Sequence, residues 1–245
     1  MPWLNWISDE DLIHCVKDVL RRGLEGIKKA EKDIARNGID PFSATFDIAC
    51  SNTDYQTWLV SERRRQSQKT LQNALGAFHQ QALSKVNGWR IPDENFLDLV
   101  CDERRIVVEL KNKHNTVKKS DLKQVYDELQ QATMHKTSSY RGYLAYYATV
   151  IPKNHEKFDK LFTPPDNATA TQKPENSLIR EIDGYSFYGL VTGNENALKD
   201  LYQILPDVIK VALIDADFSD NGLAPNQNLK QDPMWNHLFL QTFGL

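Results

Sequence analysis

The chain has 245 residues, of which 40% are apolar, 10% aromatic and 26% charged, and these proportions exclude a disordered, collagen-like or fibrous protein. Its formal net charge of −3 argues against a uniformly basic nucleic-acid binder, so any surface for nucleic acid has to be local. Three widely spaced cysteines do not make a disulfide framework, and no apolar run approaches the roughly 18 residues of a membrane span, which favours a soluble protein of a reducing compartment.

The N-terminal third has the pattern of helices. Ser8 and the three acidic residues after it predict a helix start, because a hydroxyl and early carboxylates satisfy free N–H groups and oppose the helix dipole. The helical pattern continues to a stop signal at residues 37–38, and residues 21–23 (Arg-Arg-Gly) are a point at which it could end or be interrupted. Residues 39–42 predict an extended or turning segment. The next helix is predicted from residue 55 to residue 86, with these buried positions: Trp58, Leu71, Leu75, Phe78 and Leu83.

The middle of the chain changes from helical to strand periodicity. Residues 95–101 and 105–111 are short, apolar and rich in β-formers, and a charged bend separates them, which predicts a hairpin. Residues 120–134 return to a helical pattern with one apolar face. Residues 140–151 have the composition of a buried strand.

The C-terminal part begins with a long polar segment. Residues 152–177 are rich in Pro, Asn and Thr and predict a loop that is long enough to be functional or mobile. Residues 183–192 are predicted as a strand and residues 195–211 as a helix, and residues 217–232 have a loop composition before an aromatic C-terminus.

This order of elements predicts an α/β fold in which helices flank a mixed sheet. We expect a single domain over residues 1–245. Within it, residues 1–90 form a mainly helical part, residues 91–211 the α/β core, and residues 212–245 a C-terminal extension.

Two acidic side chains and a lysine are brought to one face by the predicted hairpin. With a two-residue turn at positions 103 and 104, Asp98 lies opposite Glu109, and Lys111 points to the same side because residues two apart on a strand share a face. An odd-length turn would put Asp98 on the other face. Two carboxylates supply the hard oxygen ligands of Mg²⁺, and a lysine can orient water and offset charge on a phosphate. The pattern therefore suits metal-assisted cleavage of a phosphodiester.

The Glu-x-Lys triplet by itself is common in a chain of this length. A second triplet of this kind, residues 121–123, begins a predicted helix and has no acidic partner on a strand. Two basic segments strengthen the first triplet, since residues 104–123 hold seven basic against two acidic side chains and residues 62–69 hold four against one. The residues alone leave two readings open, a metal-dependent nuclease and a surface hairpin with ion pairs.

The pattern D-x(10)-E-x-K on a hairpin followed by a helix resembles the core of the PD-(D/E)XK nucleases. Residues 107–116 (VVELKNKHNT) resemble the catalytic segment of a narrower family, the type II restriction endonucleases that cut GGNCC or GGWCC sites. Residues 39–47, 76–81 and 191–209 carry further similarity to this family, so the resemblance spans most of the chain.

This resemblance implies a restriction-endonuclease-like α/β fold and a homodimer that cuts both strands of a short palindromic DNA site. It implies that the enzyme needs Mg²⁺, leaves 5′-phosphates and works beside a cognate DNA methyltransferase in the cytoplasm of a prokaryote. The sequence does not show the recognition sequence or the degeneracy of its central base.

The resemblance also assigns roles to the residues of the hairpin. Asp98 and Glu109 bind Mg²⁺, the backbone carbonyl of Leu110 is a further ligand, and Lys111 positions the attacking water. The Pro-Asp pair after which the motif is named ends at Asp93 in this chain. In the predicted register, Asp93 points to the opposite face of the hairpin from Glu109. We therefore assign the metal-binding aspartate to Asp98.

Glu62, on the helix before the hairpin, is a candidate third metal ligand, because nucleases of this superfamily often recruit an acid from such a helix. The alternative is an ordinary ion pair or hydrogen bond with Arg65 or Gln66. His79 lies on an apolar helix and is interpreted as an interior or interface histidine. The histidines have no zinc-binding spacing.

The residues after the catalytic lysine are candidates for DNA contacts. Lys113 shares the parity of Glu109 and Lys111, and the short polar groups that follow suit phosphate or base-edge hydrogen bonds. The alternative for Asn115 and Thr116 is that they cap the following helix. The full set of DNA-binding candidates is Lys113, His114, Asn115, Thr116, Arg64, Lys118 and Lys119.

Two other functions remain as alternatives. One is a DNA repair or junction nuclease of the same fold that recognises the shape of a branched substrate and not its sequence. The other is a DNA-binding module of this fold without catalytic activity. Cleavage of duplex DNA at discrete sites in the presence of Mg²⁺ separates the restriction enzyme from both.

Overall fold

A hairpin of two long helices forms the N-terminal part of the chain. The structure, a computed structural model, describes residues 2–37, 39–93, 96–118, 120–166, 169–214, 218 and 229–244. The N-terminal helices are α1 (Asp9–Asn37), α2 (Pro41–Ser51) and α3 (Tyr55–Ser84). The ion pair of Asp11 with Lys85 joins the start of α1 to the end of α3, so the two long helices run antiparallel.

The start of α1 is capped as predicted, because the Ser8 hydroxyl accepts a hydrogen bond from the Asp11 N–H at 3.1 Å. The helix is not interrupted at residues 21–23, and its glycines serve close packing instead. A Cβ on Gly26 would lie 2.9 Å from Thr70 Cβ on α3, a distance that requires a shift. The glycine therefore allows α1 and α3 to approach each other closely and does not end the helix.

Residues 39–42 were predicted to be an extended or turning segment; Asp40 is extended, but the prediction is wrong for residues 41 and 42 because α2 begins at Pro41. The Asp40 carboxylate accepts hydrogen bonds from the N–H groups of Phe42 and Ser43. An aspartate cap followed by proline in the first turn is a common helix start, since proline has no N–H to leave unsatisfied there.

Six strands form one mixed sheet within the described residues, in the order β1-β2-β3-β4-β8-β5. β1–β2 and β2–β3 are antiparallel, β3–β4 and β4–β8 are parallel, and β5 is antiparallel to β8. The mixed α/β fold is therefore confirmed. The strands of this sheet are β1 (Trp89–Arg90), β2 (Leu99–Cys101), β3 (Ile106–Lys113), β4 (Leu144–Ile151), β5 (Asp159–Leu161) and β8 (Ile179–Asp183).

Helices cover both faces of the sheet. One face packs against α1, α3, α5 and α6 through the alternate β3 side chains Ile106, Val108 and Leu110. The other face packs against α4 through Val107 and the β4 residue next to it. None of the described helices is long and apolar enough to cross a membrane. The remaining helices are α4 (Leu122–Met134), α5 (Gly184–Thr192), α6 (Ala197–Ala212), a 3₁₀ turn (Leu229–Gln231) and α7 (Pro233–Phe243).

The strand predicted over residues 183–192 is wrong, because β8 ends at Asp183 and the rest of this segment is α5. The Asp183 carboxylate caps α5 by accepting a hydrogen bond from the Ser186 N–H at 3.0 Å. A short apolar run fits a buried strand and a buried helix equally well by periodicity. Here the aspartate cap was the signal that distinguishes them.

The long polar segment at residues 152–177 is not a loop throughout. It contains β5 and a separate two-stranded hairpin of β6 (Pro165–Asp166) and β7 (Thr171–Gln172). Most of the predicted loop at residues 217–232 lies outside the described residues.

α3 passes the carboxyl ends of the central strands. Its residues Leu75 and His79 line one apolar cavity together with Asn112 of β3 and Ile151 of β4. The preceding 20 residues of α3, from Tyr55, form a segment about 30 Å long at the rise of an α-helix. α1 packs along α3, and we call this part of the helix pair the arm.

Candidate active site

The β2–β3 hairpin has the predicted register. Its Cα partners are Leu99 with Val108 and Cys101 with Ile106. Residues 102–105 connect the two strands, and residues 103 and 104 lie at the centre of the turn, as predicted. Arg105 at the end of the loop has a φ of 54°, and its N–H donates to the Asp102 carbonyl at 3.2 Å.

Asp98 lies beside Glu109 at the open end of this hairpin. Its carboxylate accepts a hydrogen bond from the Leu110 N–H at 2.7 Å, and its own N–H donates to the Val108 carbonyl at 2.8 Å. The two hydrogen bonds fix Asp98 to β3 although β2 begins only one residue later.

Glu109 and Lys111 form an ion pair on the face of β3 that is covered by α4. The Glu109 side chain is only 11% exposed and that of Lys111 is 26% exposed. The structure therefore brings together the three residues that the sequence predicts as the catalytic set, with the ammonium and both carboxyl groups in one half-buried cluster.

Burial and charge shift the protonation of all three groups. Burial and the nearby Asp98 charge raise the pKa of Glu109 to about 7. Burial also raises the pKa of Asp98, although the hydrogen bond from Leu110 works in the opposite direction. Burial disfavours the charged form of Lys111, but Glu109 and Asp98 outweigh it, so the pKa of Lys111 is raised. Two carboxyl groups that disfavour each other's charge are a place where a cation is stabilising.

This donor set fits Mg²⁺ in its chemistry. Two carboxylates and a backbone carbonyl are hard oxygen ligands, and Mg²⁺ usually keeps several waters besides one or two carboxylates. Within the described part of the chain, no group of three His, Cys, Asp or Glu side chains forms a site made from protein alone. Asp93, the literal aspartate of the motif, is exposed on the bend before this site.

Glu62 is not brought to the carboxyl pair. It lies on the arm, where its carboxylate accepts hydrogen bonds from Arg65 at 2.6 Å and from Gln66 at 2.7 Å. This is the arrangement given as the alternative to a metal ligand. Arg64 is exposed on the same arm and lines a groove between α1 and α3.

The residues that follow β3 are exposed. The His114 N–H donates to the Ile151 carbonyl at 3.0 Å, so pairing with β4 continues one residue beyond the strand. The Thr116 N–H then donates to the Lys113 carbonyl at 2.9 Å, which closes a turn. Asn115 and Thr116 do not cap the next helix, because α4 begins six residues after Thr116, with a different cap residue. Lys118 is also exposed, and Lys119 lies outside the described residues.

Sequence reasoning missed one residue of this cluster. Tyr147 on β4 is the Cα partner of Glu109 in the parallel register and is only 5% exposed. Its ring stacks on Phe162 with centroids 4.9 Å apart, and its buried hydroxyl has no hydrogen-bond partner among the described residues. The sequence interpretation placed this tyrosine in the core of the sheet, and its position beside Glu109 depends on a parallel register that the sequence does not reveal.

Comparison with known proteins supports one family over most of the chain. The family described as Eco47II restriction endonuclease matches residues 4–214. The type II restriction enzyme Eco47II of Escherichia coli is 41% identical over 214 residues, which cover 87% of this chain and 89% of that protein. The type II restriction enzyme Sau96I of Staphylococcus aureus is 30% identical over 211 residues, which cover 83% of this chain and 78% of that protein.

Proposed function

The chain belongs to the Eco47II restriction endonuclease family, and from this premise we propose that it hydrolyses both strands of duplex DNA at a short palindromic site. The reaction is that of a type II site-specific deoxyribonuclease. We propose GGNCC or GGWCC as the recognition sequence, Mg²⁺ as the cofactor and 5′-phosphates as the product ends. The resemblance of residues 107–116 to the enzymes that cut these sites supports the proposed recognition sequence.

The observation that carries this proposal is the cluster of Asp98, Glu109 and Lys111. Asp98 and Glu109 would hold Mg²⁺, with the Leu110 carbonyl as a further ligand. When bound, Mg²⁺ supplies Lewis acidity that polarises the scissile phosphate and lowers the pKa of the attacking water. Glu109 would bind the cation as a carboxylate, and with a pKa of about 7 its ionised form costs little free energy at neutral pH.

Lys111 has two tasks in this scheme. Its ammonium pairs with Glu109 in this structure and would orient the attacking water when Glu109 serves as a metal ligand. It also offsets the negative charge that develops on the phosphate oxygens. The raised pKa of Lys111 keeps it protonated for both tasks.

We further propose that the active protein is a homodimer. A palindromic site has two-fold symmetry, so a two-fold dimer places one catalytic cluster on each strand. A cognate methyltransferase would protect the host's own copies of the site. We propose that both enzymes work in the cytoplasm of a prokaryotic cell, where DNA is accessible to them.

The test is digestion of plasmid DNA by the purified protein, followed by run-off sequencing of the ends. We expect discrete fragments with Mg²⁺ and no cleavage with a chelator. Every end should show the same cut position relative to the recognition sequence. Sedimentation with a cognate duplex should give two protomers per duplex. Cleavage of branched DNA without regard to sequence would support the junction nuclease instead, and binding without cleavage would support the non-catalytic module.

Loss of Lys113 should weaken DNA binding on every sequence. The side chain is exposed and has the parity of Glu109 and Lys111, which predicts a phosphate contact. With Ca²⁺ in place of Mg²⁺, Lys113→Ala should flatten the slope of log binding constant against log salt by about one. Lys85→Ala is the control, because this exposed lysine pairs with Asp11. An equal slope in wild type and Lys113→Ala, with a lower melting temperature, would assign Lys113 to the fold.

A further inference from the structure

Tyr147 carries a polar atom that the fold does not use. Its side chain is 5% exposed, and its hydroxyl has no hydrogen-bond partner among the described residues. A buried hydroxyl without a partner destabilises a folded protein relative to the same ring without it, because its hydration is lost and not replaced. Phenylalanine would fill the same space in the core without this loss of free energy, which indicates that the hydroxyl has a function.

The position of Tyr147 indicates which group this function concerns. Glu109 and Tyr147 are direct neighbours across the parallel β3–β4 pair, and both side chains point to the face covered by α4. Asp98 lies on the opposite side of Glu109, on the β2 side of the hairpin. The Glu109 carboxylate is thus flanked by a second carboxylate on one side and by a phenol on the other.

Binding of a cation would change the partners of Glu109. In this structure its carboxylate pairs with Lys111, and it shares the cluster with Asp98. As a metal ligand it would turn one oxygen toward the cation and release Lys111 for the phosphate. The remaining oxygen then needs a donor that is fixed, uncharged and protonated at neutral pH, and a phenol meets these requirements.

We propose that Tyr147 is a positioning residue that donates a hydrogen bond from its phenolic hydroxyl to the Glu109 carboxylate and holds it in its metal-binding orientation. The proposal rests on the proposed metal-dependent function. Second-sphere donors of this kind orient metal ligands, and their loss typically reduces metal affinity or activity about 10- to 100-fold. Stacking on Phe162 keeps the ring in place, so little further conformational entropy would be lost when the hydroxyl forms this hydrogen bond.

The test compares Tyr147→Phe with Tyr146→Phe. Tyr146 is the adjacent residue on the same strand, faces the other side of the sheet, and donates from its hydroxyl to Asp159 at 3.3 Å. Calorimetric titration with Ca²⁺ and the Mg²⁺ concentration for half-maximal cleavage both report metal binding. For Tyr147→Phe we expect metal affinity at least about 10-fold weaker, a larger change at low than at saturating Mg²⁺, and an equal or higher melting temperature. Tyr146→Phe should bind Ca²⁺ as the wild type does.

The outcomes distinguish this inference from the function on which it rests. If the wild type binds Ca²⁺ and Tyr147→Phe binds it equally well, the positioning role is wrong and the proposed function stands. A lower melting temperature with unchanged affinity would mean that the hydroxyl serves the fold, for example through Thr149 on the same face of β4. If the wild type binds no divalent cation and cuts no DNA, both proposals fail together.

Discussion

Asp98→Asn is expected to reduce cleavage by at least about 10³-fold without unfolding the protein. The substitution removes a charge that would bind Mg²⁺, while the asparagine carbonyl can still accept the hydrogen bond from the Leu110 N–H. It also removes a negative neighbour of Glu109, so the cluster without metal does not lose stability. Single-turnover cleavage at saturating Mg²⁺ measures the loss, and duplex binding with Ca²⁺ shows whether the rest of the surface is intact.

Asp93→Asn is the matched control for this experiment. Asp93 belongs to the literal Pro-Asp pair but is exposed on the bend before β2. We expect its variant to cut at the wild-type rate. The reverse result, full activity in Asp98→Asn and loss in Asp93→Asn, would show that the assignment of the metal-binding aspartate is wrong.

Gly184→Ala is expected to destabilise the fold by more than about 3 kcal/mol, which is at the upper end of single substitutions. A Cβ at this position would lie 2.2 Å from the Val150 carbonyl oxygen and 2.5 Å from the Val150 Cα. Both atoms belong to the backbone of β4, so no rotamer change relieves the overlap. The start of α5 would have to move away from the sheet, and denaturant unfolding measures the free-energy change.

Gly76→Ala provides the opposite case within the same protein. This glycine lies inside α3, and nothing approaches within 4 Å of a Cβ built there. Alanine should stabilise the helix by up to about 1 kcal/mol, because it has the higher helix propensity. If both alanine variants unfold at the same denaturant concentration, close approach to Val150 does not limit stability.

The proximity of Asp98, Glu109 and Lys111 could be predicted because it depends on local geometry. Asp98 and Glu109 face each other through one hairpin, and strand alternation adds Lys111 without further information. The same logic identified the buried face of α3, where Trp58, Phe78 and Leu83 are buried. Leu71 was predicted as buried and is 39% exposed, because it lines the surface groove between α1 and α3.

Features that depend on distant parts of the chain were not predictable in this way. Tyr147 reaches Glu109 only because β4 lies parallel to β3 in one particular register. The segment after Asp183 was assigned to the wrong element because it is only nine residues long and rich in aromatic side chains, which also suit a buried strand. The short strand β5 joins the sheet at its edge next to β8, and its own three residues carry almost no strand signal.

The β2–β3 hairpin also bears on the order of folding. Formation of a β-hairpin takes on the order of microseconds, whereas parallel pairing such as Ala145 with Ile179 has to bring together segments far apart in the chain. We therefore expect Asp98 and Glu109 to meet early, in a chain that has not yet placed Tyr147 or α5. A nascent polypeptide would thus acquire its acidic pair before it acquires the parallel strands and helices that bury the pair.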